Sequence, residues 1–502
     1  MTLHAPIRPA APEAVLAHGG RLRGVWESGL RVFRGVHYAL APYGARRFLP
    51  PVAVPAWSGV RDAVAFAPMA PQLARAALAG APVQGGEDCL ALNIWAPETG
   101  AGEHLPVMVW VHGGGFFRGS ASDPLYDGAA FARQGIVFVS LQYRLGVDGF
   151  LHVQDATANC GLLDQVAALK WVQDHIHAVG GDPARVTVFG QSAGAGALAC
   201  LLGMSVAQGL FQRAILQSPS IACQDLADAA AVRMAIAALV GVAPTRDALA
   251  AAPLPAVLHA VHRLAAEPAL RLHHGIDGRN FFPLRPVVDG TVLPAPPLQA
   301  MRHAWAGALP SLQVMVGSNA DEMRLYHVPG GAVDRVTGAQ LQSFADAVGL
   351  PSNGLQAYAA AAGQGATTPG ELLCAVQSDY YYRVPARRIA SMAGALGVKA
   401  YLYQFDWRSP QWRGRLGAAH AVELPFVFGN LHSAQGLEFT GVCAPQALSD
   451  AMHGAWVRFA TSGDPGWPVH AQAEPWTMHF NVPSRCVPDP AAAHWCVWDG
   501  IL

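Results

Sequence analysis

The chain has 502 residues, 52% hydrophobic and 13% charged, with a formal net charge of −1. This composition excludes disorder and gives no electrostatic reason to expect a nucleic acid or an anionic membrane as partner. No apolar run reaches the ~18 residues a spanning helix needs, and the nearest candidate, residues 229–242, is interrupted by Arg233.

Residues 1–15 carry His4, Arg8, Glu13 and interspersed prolines. They lack the basic start and continuous apolar stretch of a secretory signal. Eight cysteines lie scattered at 89, 160, 200, 223, 374, 443, 486 and 496, with no C-x-x-C and no zinc spacing. A cytoplasmic chain with free thiols is the expectation.

Residues 107–111 predict a buried strand running into His112-Gly113-Gly114-Gly115-Phe116. Consecutive glycines let backbone N–H groups point at a small anion. A phosphate loop is excluded because Phe117-Arg118 follows, not Gly-Lys-Ser/Thr. Residues 136–141 predict a second strand, and 164–179 a helix with Leu162, Val166, Leu169, Val172 and Ile176 on its apolar side. Residues 185–189 predict a third strand. It leads into Gly190-Gln191-Ser192-Ala193-Gly194 and then a helix of small residues over 193–204. A serine between flanking glycines on a strand-to-helix turn is the arrangement an exposed nucleophile needs.

Short apolar strands follow at 214–216, 313–316 and 400–405. Apolar strands alternating with helices predict an α/β fold: a large, mainly parallel sheet with helices on both faces. No linker divides the chain, so a single domain over 1–502 is expected. Within it, a helical cap-like insertion spans about 221–302 and a second helical region about 336–395.

In such sheets reacting groups collect beyond the carboxyl ends of the strands. Asp321-Glu322 lies after the strand at 313–316, where a carboxylate can orient a histidine. The order serine, acid, histidine leaves His327, His420, His432, His453, His470, His479 and His494 as bases. His420 ranks first because it lies between the strand at 400–405 and the apolar run at 423–428. His273-His274 has no suitably spaced third ligand, so no metal and no cofactor are expected.

These motifs resemble the type-B carboxylesterases, the cholinesterase and carboxylesterase family of the α/β hydrolases. The likeness runs through Phe33-Arg34-Gly35-Val36, Glu87-Asp88-Cys89-Leu90, Tyr143-Arg144-Leu145-Gly146, Gly161-Leu162-Leu163-Asp164-Gln165, Gly180-Gly181-Asp182-Pro183 and Phe189 to Ala195. The resemblance implies Ser192 as nucleophile, Glu322 rather than Asp321 as acid, His420 as base, and Gly114, Gly115 and Ala193 as oxyanion donors. It implies hydrolysis of small-molecule esters, mostly uncharged and apolar, through an acyl-enzyme. Phe116, Phe117, Gln191, Tyr381 and Phe426 are substrate-binding candidates, among wider aromatics (Tyr380, Tyr382, Trp407, Phe428) for which core packing is the competing reading.

Four departures from the family pattern stand out. Met323 follows Glu322 in place of glycine, and Pro219 replaces a glycine in Gln217-Ser218-Pro219-Ser220. Gln191 replaces the usual glutamate, which removes a negative charge beside the serine and argues against cationic alcohols. Cys89 matches a half-cystine of secreted members, but Ala70 stands at its partner's place. Rival readings are a catalytically inactive adhesion or binding relative, or an amidase or carbamate hydrolase using the same site. The sequence leaves the oligomeric state open.

Overall fold

The computed structural model describes residues 11–73, 85–98, 103–276, 279–307, 312–362, 367–471, 473–488 and 493–501. The reading of residues 1–10, and residues 277–278 and 363–366 of the two helical regions, lie outside them.

Among the described residues eleven strands pair into one sheet. In chain order they are β1 (Val25–Glu27), β2 (Leu30–His37), β3 (Ala91–Pro97), β4 (Leu105–Val111), β5 (Val137–Leu141), β6 (Gly181–Gln191), β7 (Arg213–Gln217), β8 (Gln313–Asn319), β9 (Lys399–Phe405), β10 (Trp476–Phe480) and β11 (Arg485–Pro488). Across the sheet the order is β1-β2-β3-β5-β4-β6-β7-β8-β9-β10-β11. The pairs from β5 to β10 are parallel. The margins are antiparallel, at β1·β2, β2·β3 and β3·β5 on one side and β10·β11 on the other. Strands Glu13–Val15, Arg21–Arg23 and Val60–Asp62 form a separate small sheet.

The central strands are apolar because both their faces are covered. Along β4, Val107, Val109 and Val111 face one core while Met108 and Trp110 face the other, the alternation that a pleated strand imposes. On the first face lie α1 (Cys160–His175) and α2 (Ala193–Leu201). Every residue of α2 is buried, and its small side chains are needed: a Cβ on Gly196 would collide with the Ser220 carbonyl. α1 begins four residues earlier than its apolar pattern suggests and ends in a 3-10 turn at Ile176–Val179. α2 stops at Leu201, short of the expected 204.

The register aligns the carboxyl ends of the central strands. Val111 pairs with Gly190, Gln191 with Gln217, Gln217 with Gly317, and Gly317 with Tyr403. The loops that follow β4, β6, β7, β8 and β9 therefore open on one edge. Helices at Leu226–Val240, Leu254–Ala266 and Pro297–Ala306 lie between β7 and β8. Helices at Gly338–Ala347, Pro369–Ser378 and Val384–Ala395 lie between β8 and β9, with a π-helical turn at Asp379–Arg383.

Candidate active site

Ser192 sits between β6 and α2 at φ 58° and ψ −124°, a conformation rarely adopted by a residue with a side chain. The surroundings hold it there. Its N–H donates to the Gln217 carbonyl at 2.9 Å, and its own carbonyl accepts from Gly196 N at 2.8 Å. The flanking glycines are a packing necessity: a Cβ on Gly190 would lie 2.8 Å from the Val111 carbonyl oxygen, and one on Gly194 would overlap it. The turn thus fits against the end of β4 only without side chains at those positions.

The glycine loop after β4 meets this turn. Gly114 and Gly115 have φ values of 113° and 64°. Their N–H groups make no hydrogen bond to a protein acceptor among the described residues. Ala193 opens α2, so its N–H has no intrahelical acceptor. Gly115, Ser192, Ala193 and Phe116 line one cleft. His112 anchors the loop from below. Its ring stacks on Tyr143 at 4.6 Å, and the Tyr143 hydroxyl donates to its carbonyl at 2.7 Å. Burial pushes the His112 imidazole down to about 4, so it is neutral.

A carboxylate and an imidazole come from the loops after β8 and β9. His420 Nδ1 lies 2.6 Å from Glu322 Oε2, with side-chain exposures of 3% and 0%. The other carboxylate oxygen accepts from Ser218 Oγ at 2.6 Å and from Asn319 N at 2.7 Å. Three donors onto one buried carboxylate compensate its desolvation and fix its plane. Asp321 turns elsewhere: it pairs with Arg408 at 2.9 Å and accepts from Ala418 N at 2.9 Å, which ties the acid loop to the histidine loop.

A second buried carboxyl, Glu423, backs the pair. It accepts from Asn319 Nδ2 at 2.6 Å and from Gln217 Nε2 at 3.1 Å. Burial and then the Glu322 charge push it up to about 7. With Nδ1–H facing Glu322, His420 Nε2 carries the lone pair, and Gln191 Nε2 donates to it at 3.1 Å. No hydrogen bond joins Ser192 Oγ to His420 in this state. The hydroxyl neighbours the Tyr326 phenol, which burial raises to about 12. Such bonds in ligand-free enzymes often close only when substrate binds.

Of the aromatic candidates, Phe116 and Tyr381 line the cleft, with Phe281, Phe282 and Tyr382 beside them. Phe117 packs on Phe282 at 5.6 Å, outside the lining. Phe426 is a correction: it is fully buried in the opposite core, 5.4 Å from Phe405 and 5.1 Å from Trp407. Gln191 also stands off the cleft wall and touches His420 instead.

Three of the other candidate histidines have separate partners. His327 bonds Gln377 at 2.8 Å, His453 the Val427 carbonyl at 2.8 Å and His479 Asp406 at 2.7 Å. The His494 side chain lies outside the described residues. His273 and His274 contact each other at 5.1 Å, and no metal-binding group of three or more His, Cys, Asp or Glu occurs among the described residues.

Sequence reasoning missed Ser218, Asn319, Glu423, Tyr326 and Arg285. Ser218 follows β7 as Ser192 follows β6, so a hydroxyl at a strand's carboxyl end was an available signal. Tyr326 lies four residues after Glu322, one turn on if the loop closes as a helix, and Arg324–His327 does so. Nothing local marks Arg285, which joins the cleft lining.

A serine on a strained strand-to-helix turn, a glycine loop beside it and a paired carboxylate and imidazole at neighbouring strand ends define an α/β hydrolase. The family model for the carboxylesterase family matches residues 11–484, and the chain belongs to that family. It is 34% identical to the para-nitrobenzyl esterase of Bacillus subtilis (strain 168), over 91% of this chain and 92% of that one. It is 36% identical to the phenmedipham hydrolase of Pseudarthrobacter oxydans, over 92% of each. A crystal structure of a Geobacillus stearothermophilus carboxylesterase superposes with a TM-score of 0.85 at 34% identity, covering 97% of this chain and 99% of that one. The protein is a serine carboxylic ester hydrolase.

Proposed function

We propose that Ser192 is the nucleophile, His420 the general base and acid, Glu322 the carboxylate that orients and charges the imidazole, and Gly114, Gly115 and Ala193 the oxyanion donors. The observation that carries this reading is the 2.6 Å His420–Glu322 contact at the strand edge that also presents Ser192. An ester enters the cleft with its carbonyl oxygen at the free amides. His420 takes the Ser192 proton as Oγ attacks, then gives it to the leaving alcohol. Water activated by the same ring releases the acid and restores Ser192. Each oxyanion donor supplies about 2.7–4 kcal/mol of transition-state stabilisation. Turnover of p-nitrophenyl acetate by Ser192→Ala and His420→Ala tests this. Losses of about 10⁴-fold or more are expected, and near-parental turnover in either variant refutes it.

The aromatic lining supports small, mostly uncharged esters. Phe281 and Phe282 come from the segment between β7 and β8, and Tyr381 and Tyr382 from that between β8 and β9. We take both segments as cap-like insertions on a single domain. The phenmedipham hydrolase relative favours one further activity at the same site, cleavage of aryl carbamates. Release of an arylamine from a phenylcarbamate, lost with Ser192→Ala, is the expected result, and no release removes that reading. Cytoplasmic location stays within the proposal, supported by the buried free thiols Cys89, Cys160, Cys200 and Cys374.

A further inference from the structure

Gln191 is almost fully buried, and its amide spans two parts of the site. One end packs on the glycine loop, where a Cβ on Gly113 would lie 3.1 Å from Gln191 Oε1. The other end, Nε2, lies 3.1 Å from His420 Nε2. A neutral imidazole whose Nδ1–H faces a carboxylate has one acceptor left, the in-plane lone pair on Nε2. The Ser192 hydroxyl needs that same lone pair to lose its proton. The amide and the hydroxyl therefore compete for it.

We propose that Gln191 is a positioning residue that occupies the bare nitrogen of the base in the resting enzyme, so that nucleophile and base couple only when the amide gives way. This rests on the assignment of Ser192, His420 and Glu322 above. The amide also suits both states of the ring. Facing neutral Nε2 it offers N–H; once the ring carries the serine proton, a half-turn of the terminal torsion, which is soft in glutamine, offers the oxygen instead. A glutamate at this position does the opposite: it has no donor for the neutral ring and a full charge for the protonated one.

The other titratable or charged groups around the ring come from every side. Glu322 meets Nδ1 and Glu423 acts from the ring's own loop. The Tyr326 and Tyr382 rings lie 5.8 Å and 4.5 Å away. Arg118 acts on Tyr326 from the glycine-loop side. The test must therefore change Gln191 and leave these in place.

Two variants do so. Gln191→Met keeps the length and removes the N–H. The second-order rate of Ser192 phosphorylation by paraoxon, read by peptide mass, is expected to rise about 2- to 12-fold, the factor set by losing one competing neutral hydrogen bond. Gln191→Glu is isosteric and favours the charged ring, so the acid limb of kcat/KM for p-nitrophenyl acetate is expected to move to higher pH. Unchanged or slower labelling of a folded Met variant, or a parental acid limb in the Glu variant, overturns the proposal. Should the Met variant not fold, the Glu variant decides alone. Parental Ser192 labelling with neither effect removes only the resting-state role. Retained turnover in Ser192→Ala would instead remove the assignment on which it rests.

Discussion

At Glu322 one carboxylate receives three donors, from His420, Ser218 and the Asn319 backbone. Removing its charge while keeping its size should cost far more in rate than in stability. Glu322→Gln can present an amide N–H to His420 and so select the wrong tautomer, and kcat is expected to fall about 10⁴-fold. A fall under tenfold, with the unfolding midpoint unchanged, would remove Glu322 from the mechanism. Glu423 behaves differently because it prefers its proton. Its folded pKa, about 7, lies above the ordinary carboxylate range. Between that range and about pH 7 the folded protein therefore holds a proton that the unfolded chain has released, and stability falls as pH rises through this window. Glu423→Gln has no such titration, so its stability relative to the parent should increase from pH 5 to pH 8 in urea unfolding. A difference independent of pH contradicts the assignment.

The elements that carry these residues were legible to different degrees. The parallel strands β4 to β9 were plain because both faces are buried, which makes their sequences apolar runs, whereas β10, parallel to β9 but only partly buried, was not read. The antiparallel strands β1 to β3 were not. Arg31, Arg34 and Gly35 interrupt β2, whose register breaks between Phe33 and Val36, and Asn93 sits buried inside β3, where it bonds Ser140 at 3.1 Å. The serine turn and glycine loop were legible from local chemistry alone, since each needs glycine for close approach. The histidine needed the strand order, and the choice of Glu322 over Asp321 came only from the resemblance; in the structure Asp321 bonds Arg408 and Ala418 while Glu322 meets the imidazole. Roles that depend on long-range convergence, such as Ser218 and Gln191 on the base, have no local signature.

One such link joins elements directly. The N–H of Met323, beside Glu322, donates to Ser378 Oγ at 3.0 Å just before the π-helical turn that places Tyr381 and Tyr382. Ser378→Ala leaves that buried N–H unpaired and should destabilise the protein by about 1–3 kcal/mol while lowering kcat. Parental stability and rate would show that the acid loop does not lean on this turn.

For the whole molecule, two motifs shared with the family turn out to be architectural. Arg144 of Tyr143-Arg144-Leu145-Gly146 and Asp164 of Gly161–Gln165 form a fully buried ion pair at 2.7 Å, and Arg144 also donates to the Leu49 carbonyl at 2.8 Å. This pins the loop after β5 to α1 and to the N-terminal region. Breaking a buried pair strands one charge, at a cost of about 3–5 kcal/mol. Asp164→Ala should therefore lower stability by that amount, seen in urea unfolding, while any folded fraction keeps a near-parental KM. A loss below 1 kcal/mol would deny the pair its structural role. The same frame aligns the strand ends, so distant loops deliver their residues to one edge.

Convergence of three side chains at that edge is most directly tested by treating the protein with paraoxon and mapping the adduct by peptide mass. The account predicts a single diethylphosphoryl group on the peptide holding Ser192, formed slowly or not at all in His420→Ala and absent in Ser192→Ala. An adduct on another residue, or Ser192 labelling at the parental rate without the His420 ring, would contradict it.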